Sequence, residues 1–223
     1  MIEQRTPTAL VVTLCPPVGD AQRPEASPET RPLPEADLVI AADGGLGMLR
    51  RAGRRVDAVV GDMDSVDEDS LAWALSQGAS ILRHPVRKDF TDLELAMEYA
   101  CSRAGAVHVA ASVSGRLDHA VANLLILASP RWAAAAVTAT VDGARVEVAR
   151  GSHRLEAEPG ETVSLLAVGG RCRVADTSGL EYRLRDEWLD PASARGVSNV
   201  VTAQPATLNV TWGALLAIFP GLG

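Results

Sequence analysis

The chain has 223 residues, a formal net charge of −7, 47% hydrophobic residues and 22% charged residues. That length accommodates one large domain or two small ones, and the composition is globular rather than disordered or fibrous. The acidic balance argues against a nucleic-acid protein, which would carry a basic face. It leaves nucleotide enzymes open, because a local cationic patch or a bound metal offsets net charge.

Cys15, Cys101 and Cys172 are widely separated, with no C-x-x-C spacing. Such a set is expected as free, buried thiols in a reducing compartment. No basic stretch followed by an apolar one opens the chain, and no apolar run is long enough for a bilayer, so a cytoplasmic protein is expected.

Leu10 to Leu14 reads as a strand, followed by a polar, proline-broken loop from Pro16 to Pro34. Leu38 to Ala42 and Val56 to Val60 are short apolar runs, as expected for strands buried on both faces of a parallel sheet. Leu46 to Ala52 reads as a short helix between them. Ser65-Val66-Asp67-Glu68 fits a capping box that opens a helix ending near Gly78. Ile81 and Leu82 mark a fourth strand. Thr91 to Arg103 is an amphipathic helix with Leu93, Ala96, Met97 and Ala100 on one stripe. Val107 to Ala111 follows as a strand and Leu117 to Ala128 as a helix. This alternation predicts a parallel sheet with helices on both faces.

Beyond Arg131 the pattern changes. Val137 to Val141, Arg145 to Ala149, Thr162 to Val168, Arg171 to Ala175, Leu180 to Leu184, Val197 to Thr202, Thr207 to Thr211 and Leu215 to Phe219 are all short and strand-like, separated by Gly, Pro and Asp. The expected fold is α/β: an N-terminal Rossmann-like parallel-sheet domain over residues 1–130, then a C-terminal all-β sandwich domain over residues 131–223.

Ligands bind at the carboxyl ends of strands in open α/β sheets, and here those ends are acidic. They lead into Asp43-Gly44-Gly45, Gly61-Asp62-Met63-Asp64-Ser65, Lys88-Asp89-Phe90-Thr91-Asp92 and Ser114-Gly115-Arg116-Leu117-Asp118-His119. Carboxylates on one rim repel one another unless a cation sits between them. Magnesium, a hard cation that shares carboxylates with substrate phosphates, is the natural occupant. If the segment after Gly61 is extended, Asp62 and Asp64, two apart, face the same way and share the ion. The glycines let backbone N–H groups approach phosphate oxygens. Arg116 can grip phosphate as a fork, and Lys88, the only lysine, as a point charge.

Each piece has an alternative. Asp89 and Asp92 can be a helix N-cap and its N3 partner, Asp62 and Asp64 turn formers, Asp43-Gly44-Gly45 a tight turn, Arg116 with Asp118 a surface ion pair, and His119 a structural residue. The coincidence of all four at equivalent strand ends favours a site. There is no G-x-x-x-x-G-K-[ST] loop and no kinase H-R-D or D-F-G set, so any ATP is held by neither common cradle.

These motifs, with Gly196-Val197-Ser198-Asn199, stand in the order and approximate spacing of thiamine pyrophosphokinases, which the chain resembles from about Leu38 to Phe219. Pro159-Gly160-Glu161-Thr162-Val163-Ser164-Leu165-Leu166, Gly169-Gly170 and Ser178-Gly179-Leu180-Glu181-Tyr182 are similar to that family's β-domain. The resemblance implies transfer of pyrophosphate from ATP to the thiamine hydroxyl, giving thiamine diphosphate and AMP, in a homodimer with shared active sites. It implies that Asp43, Asp62, Asp64 and Asp92 surround magnesium and the transferred phosphates, and that Arg116 joins them in catalysis. Gly44, Gly45, Ser65, Lys88, Asp89, Thr91, Asp118 and His119 are then the ATP-binding set, and Ser198, Asn199 and Trp212 lie at thiamine. Two departures stand out: Ser114 replaces the family's frequent second glycine, and the first strand lacks the glycine-rich start. A hydroxymethylpterin as acceptor, or a nucleotide-binding regulator without catalysis, are the competing readings; the full carboxylate set counts against the regulator.

Overall fold

The computed structural model describes residues 5–14, 32–86, 89–113 and 116–221. Cys15, Lys88, Ser114, Gly115 and most of the proline-rich loop lie outside the described residues. The chain divides into two compact units. The first holds the described residues up to Ile126 together with Ala134–Asp142; the second holds Leu127–Ala133 and the residues from Gly143 onward.

The first unit runs β1 (Thr8–Leu14), β2 (Leu38–Ala42), α1 (Gly45–Arg51), β3 (Ala58–Gly61), α2 (Glu68–Ser76), β4 (Ser80–Arg83), α3 (Asp92–Cys101), β5 (Ala106–Ser112), α4 (Leu117–Leu127, whose last residue falls in the second unit) and β6 (Ala136–Val141). Its strands pair in parallel, in the order β6-β5-β1-β2-β3-β4. Leu10, Val12, Val39, Ala41 and Val59 share one apolar cluster with Leu46 and Leu49 of α1 and Ala74 of α2. Val11, Ile40 and Val60 alternate with them and are equally buried, so they face the other way, where α3 packs on β1, β2, β3 and β5. Covering both faces is what the near-continuous apolar strands require. Strand order reverses at β1, with β2 on one side and β5 on the other. That reversal opens a crevice at the strands' carboxyl ends.

The second unit holds a 3-10 turn (Pro130–Trp132), β7 (Ala144–Arg154), β8 (Thr162–Ala167), β9 (Cys172–Ser178), β10 (Arg185–Leu189), β11 (Asn199–Val200) and β12 (Thr207–Phe219). The pairings among β7–β12 are antiparallel. β12 is the common partner: it pairs with β7 on both sides of a register shift between Val210 and Leu215, with β9 before the shift and with β8 after it. Leu155, Leu165, Leu184, Leu208 and Leu215 are fully buried in this unit's core.

Several expectations need correction. Val137–Val141 was grouped with the β-domain, yet β6 pairs in parallel with β5 and belongs to the first unit. Alternating apolar residues mark a strand without naming its partner. Leu180–Leu184 forms an isolated bridge from Leu180 to Val201, and the polar stretch Arg185–Leu189 is the strand instead. Flanking ion pairs from Arg173 to Asp186 (2.6 Å) and Arg195 to Glu187 (3.0 Å) tie it down. The strands expected at Thr207–Thr211 and Leu215–Phe219 are one bent strand, with Gly213 at φ +79°. α2 starts at Glu68, capped by Asp67, whose carboxylate accepts from Ser70 N at 2.7 Å, and Ser65 is left free of the helix.

Cys101 and Cys172 are unpaired thiols whose burial pushes both pKa values up to about 11, as inert apolar residues would be. No helix among the described residues is long and apolar enough to cross a membrane.

Candidate active site

Asp43 follows the end of β2 with φ +43°, a left-handed conformation that aspartate tolerates. Its N–H donates to the Val60 carbonyl at 2.9 Å, and its own carbonyl accepts from Leu46 N at 3.1 Å. The backbone is thus pinned between β3 and the start of α1. Gly45 follows because a side chain there would collide with the Val12 carbonyl of β1. Gly61 closes β3 at φ +151°; a Cβ on it would lie 3.0 Å from Asp92 Oδ1 and 3.1 Å from Asp43 Cβ. Only glycine lets the two acidic segments close over this strand end.

Asp62 follows Gly61, and Asp92 opens α3 behind the N-cap Thr91. Ligand oxygens of Asp43, Asp62 and Asp92 all lie within 4.8 Å of one another, each residue half-buried. Asp43 Oδ1 is buried and accepts no hydrogen bond. Burial raises the pKa of this carboxyl above its ordinary value; the nearby Ser65 hydroxyl opposes the rise, and the charges of Asp92, Asp64 and Asp62 add to it. An acceptor left without a donor among like charges is the environment a cation relieves.

Asp64 lies outside this group. Met63, between Asp62 and Asp64, takes φ +69° with its side chain buried, so the segment is not extended and the period-two argument for a shared direction does not apply. Asp62 Oδ1 instead accepts from Asp64 N at 3.2 Å, and the exposed Asp64 accepts from the Ser65 hydroxyl at 3.0 Å.

The remaining residues of the expected site separate by role. Thr91 and Glu94 form a reciprocal capping box, so the cap is Thr91 rather than Asp89, which is exposed just before it. Arg116 grips Asp118 with Nε at 2.9 Å and Nη2 at 2.7 Å. That bidentate pair holds the exposed Asp118 carboxyl well below the usual carboxylate range, Arg116 being the main cause. His119 Nε2 stands 4.0 Å from Asp118. Gly44 and Ser65 also line a cleft of about 490 Å³ with Arg50, Arg51, Asp67 and Ser70; of these four only Asp67 belongs to a motif, and that motif is a helix cap.

In the second unit, Ser198 sits at φ +55° and donates its N–H to Ser164 Oγ at 3.1 Å. Asn199 is buried: Oδ1 accepts from Tyr182 N (3.0 Å) and Val200 N (2.9 Å), and Nδ2 donates to Tyr182 O (2.8 Å). Its amide is committed to backbone. Trp212 is 68% exposed. A buried Glu147 pairing with His153 at 2.9 Å and with Arg145 at 3.6 Å is a further cluster that sequence reading missed.

A search of curated proteins returns no match. The family description "Thiamin pyrophosphokinase, catalytic domain" matches residues 31–141, and "Thiamin pyrophosphokinase, vitamin B1 binding domain" matches residues 152–215. Among solved structures, a thiamin pyrophosphokinase family protein from Enterococcus faecalis is 22% identical with a TM-score of 0.77, covering 97% of this chain and 100% of its own. Thiamine pyrophosphokinase from Bacillus subtilis is 21% identical with a TM-score of 0.75, at the same coverages. Yeast thiamin pyrophosphokinase is 15% identical with a TM-score of 0.68, covering 98% of this chain and 87% of its own. Identities this low speak to fold alone. The two domain matches reach much further, because the first spans the acidic strand ends and the second most of the β-rich unit: the chain belongs to the thiamin pyrophosphokinase family.

Proposed function

We infer that the chain transfers the pyrophosphoryl group of ATP to the hydroxyl of thiamine. The observation that carries this, in a chain of that family, is the carboxylate trio of Asp43, Asp62 and Asp92 with its one unpartnered buried oxygen. Three hard oxygen donors at this spacing fit a divalent cation of the magnesium class, and these three residues would hold it. When bound, such an ion offsets the charge of the transferred phosphates.

The chain's own residues supply the rest. Asp64 and Ser65, joined by a hydrogen bond, flank the trio. Gly44 and Gly45 bring backbone close to phosphate. Asp118 holds the Arg116 fork in one orientation for a phosphate oxygen; Lys88, Asp89, Thr91 and His119 complete the ATP-binding set. The second unit serves as the thiamine-binding β-sandwich, with Ser198 and Trp212 as contacts and Asn199 holding the Ser198 loop in place. The thiamine hydroxyl attacks the β-phosphorus, the bond from that phosphorus to the α,β-bridging oxygen breaks, AMP leaves with the oxygen, and the hydroxyl proton is released.

The enzyme works as a homodimer in the cytoplasm. The unpaired thiols Cys101 and Cys172 suit that compartment, and an apolar stripe on α4 supports association. Incubation with ATP, magnesium and either thiamine or a hydroxymethylpterin is the test. Thiamine-dependent AMP is expected; ADP formed with thiamine monophosphate, or AMP with the pterin alone, overturns the reading.

A further inference from the structure

We propose that Tyr182 is a cation-binding ring for the acceptor: its face takes the thiazolium of thiamine, and Glu181 beside it supplies negative charge. This rests on the pyrophosphoryl-transfer reading and gives a role to a segment that reading leaves without one.

Tyr182 is fixed in place yet turned outward. Leu180 and Leu184, two residues to either side, are buried, while Tyr182 is 54% exposed. Its N–H donates to Asn199 Oδ1 at 3.0 Å, and its carbonyl accepts from Asn199 Nδ2 at 2.8 Å. The backbone at 182 is therefore clamped to the residue that follows Ser198. Two glycines permit the close approach: a Cβ at Gly179 would stand 2.3 Å from the Ala203 carbonyl oxygen, and one at Gly196 would stand 2.2 Å from that of Leu165. Glu181 N then donates to the Val200 carbonyl at 2.9 Å.

The ring also differs from most other aromatics of the chain. Arginines lie over Tyr99 at 3.7 Å, Trp132 at 4.7 Å, Phe219 at 3.9 Å and Trp188 at 4.9 Å. Among the described residues none lies over Tyr182, and its hydroxyl makes no hydrogen bond. Arg183, next in sequence, is committed to Asp176 at 3.0 Å and to the Thr177 carbonyl at 2.8 Å. Glu181 is exposed and has no ion-pair partner among the described residues. An uncovered aromatic face beside an unpaired carboxylate attracts a cation. The thiazolium nitrogen is fully substituted: it carries a permanent positive charge and has no N–H to donate, so a ring face suits it. A neutral hydroxymethylpterin has no such charge, and the pair of residues favours thiamine over it.

Calorimetric titration of thiamine into the full chain with magnesium tests the assignment on wild type, Tyr182→Leu, Tyr182→Phe, Glu181→Gln and Trp188→Leu. Leucine keeps apolar area and removes the π face; phenylalanine keeps the face and removes the hydroxyl. The dissociation constant is expected to rise about tenfold in Tyr182→Leu and to stay within about twofold of wild type in Tyr182→Phe. It should rise about threefold in Glu181→Gln and not change in Trp188→Leu. Melting curves should match wild type, because the hydrogen bonds at 182 are made by backbone; should leucine at 182 unfold the chain, Tyr182→Phe and Glu181→Gln still decide. Wild-type affinity in a folded Tyr182→Leu, unchanged affinity in Glu181→Gln, a tenfold loss in Tyr182→Phe, as large a loss in Trp188→Leu, or no thiamine binding by wild type overturns the proposal. An AMP-production assay on wild type judges the transfer separately: production with unaltered binding in Tyr182→Leu removes only the role of Tyr182, and the expected binding changes without production remove only the transfer.

Discussion

Thr91 and Glu94 close on each other across the first turn of α3: Glu94 N donates to Thr91 Oγ1 at 3.2 Å, and Thr91 N donates to Glu94 Oε2 at 3.1 Å. Asp92 lies between them, so this box sets where the helix carrying the third carboxylate begins. Thr91→Ala should cost about 1 kcal/mol of stability and weaken magnesium activation as well, because a frayed first turn releases Asp92. Denaturant melts beside a magnesium titration measure both. Lost stability with unchanged magnesium dependence would separate the cap from the site.

The geometry grades the aspartates. Asp62→Asn and Asp92→Asn remove charge from the trio and keep shape, so each should lower turnover on the order of a hundredfold. Asp64→Asn should cost less, since that carboxylate is exposed and outside the trio. Steady-state rates across a magnesium series would decide the order, and equal losses at all three would contradict it.

Without divalent cation, the raised pKa of Asp43 sets a pH slope. A carboxyl raised above its ordinary 3.8 contributes stability that is complete below 3.8 and is lost as pH climbs through the raised value. The metal-free protein should therefore lose this contribution on leaving acid. Asp43→Asn should flatten that part of the profile and melt higher than wild type at neutral pH. The difference between the two melting profiles, taken in chelator, isolates the effect from carboxylates such as Asp118, which run the opposite way.

Asn199→Ala should destabilise by about 1–3 kcal/mol, because buried backbone groups of Tyr182 and Val200 lose their partner. Ser198→Ala should leave the melting temperature nearly unchanged and raise the KM for thiamine. Finding the KM effect at Asn199 with no change in stability would reverse the two roles.

Association can be probed on α4. Leu117, Val121 and Leu125, spaced four apart, are 75%, 50% and 51% exposed, and such a stripe lies on one side of a helix. Val121→Asp should shift the sedimentation pattern toward monomer with a loss of activity. A fully active wild-type monomer at working concentration would refute the homodimer.

The first unit was legible because strands buried on both faces leave uninterrupted apolar runs, and because strand ends in such sheets carry the ligands. Leu38–Ala42 was bounded to the residue. What escaped reading was set by contacts distant in sequence. Met63 breaks the extended run between Asp62 and Asp64 through a backbone angle that no spacing rule announces. The amide of Asn199 is claimed by Tyr182, seventeen residues earlier. Arg50 and Arg51 belong to a cleft only once α1 lies beside α2. Ser65 satisfies the pattern of a helix cap, but Asp67, two residues on, bonds the helix instead.

The central place of β12 has a consequence for the order of assembly on the ribosome. The strands of the first unit are all synthesised once Val141 has been made, so this unit can collapse while the rest is still being translated. β7, β8 and β9 wait for a shared partner that ends at Phe219. Until it arrives they present unpaired edges, and the wait is longest for β7, made first. Slow, late closure of this kind exposes nascent strands to wrong pairing. Pauses in translation before Thr207 should then reduce soluble yield more than pauses before Ala136.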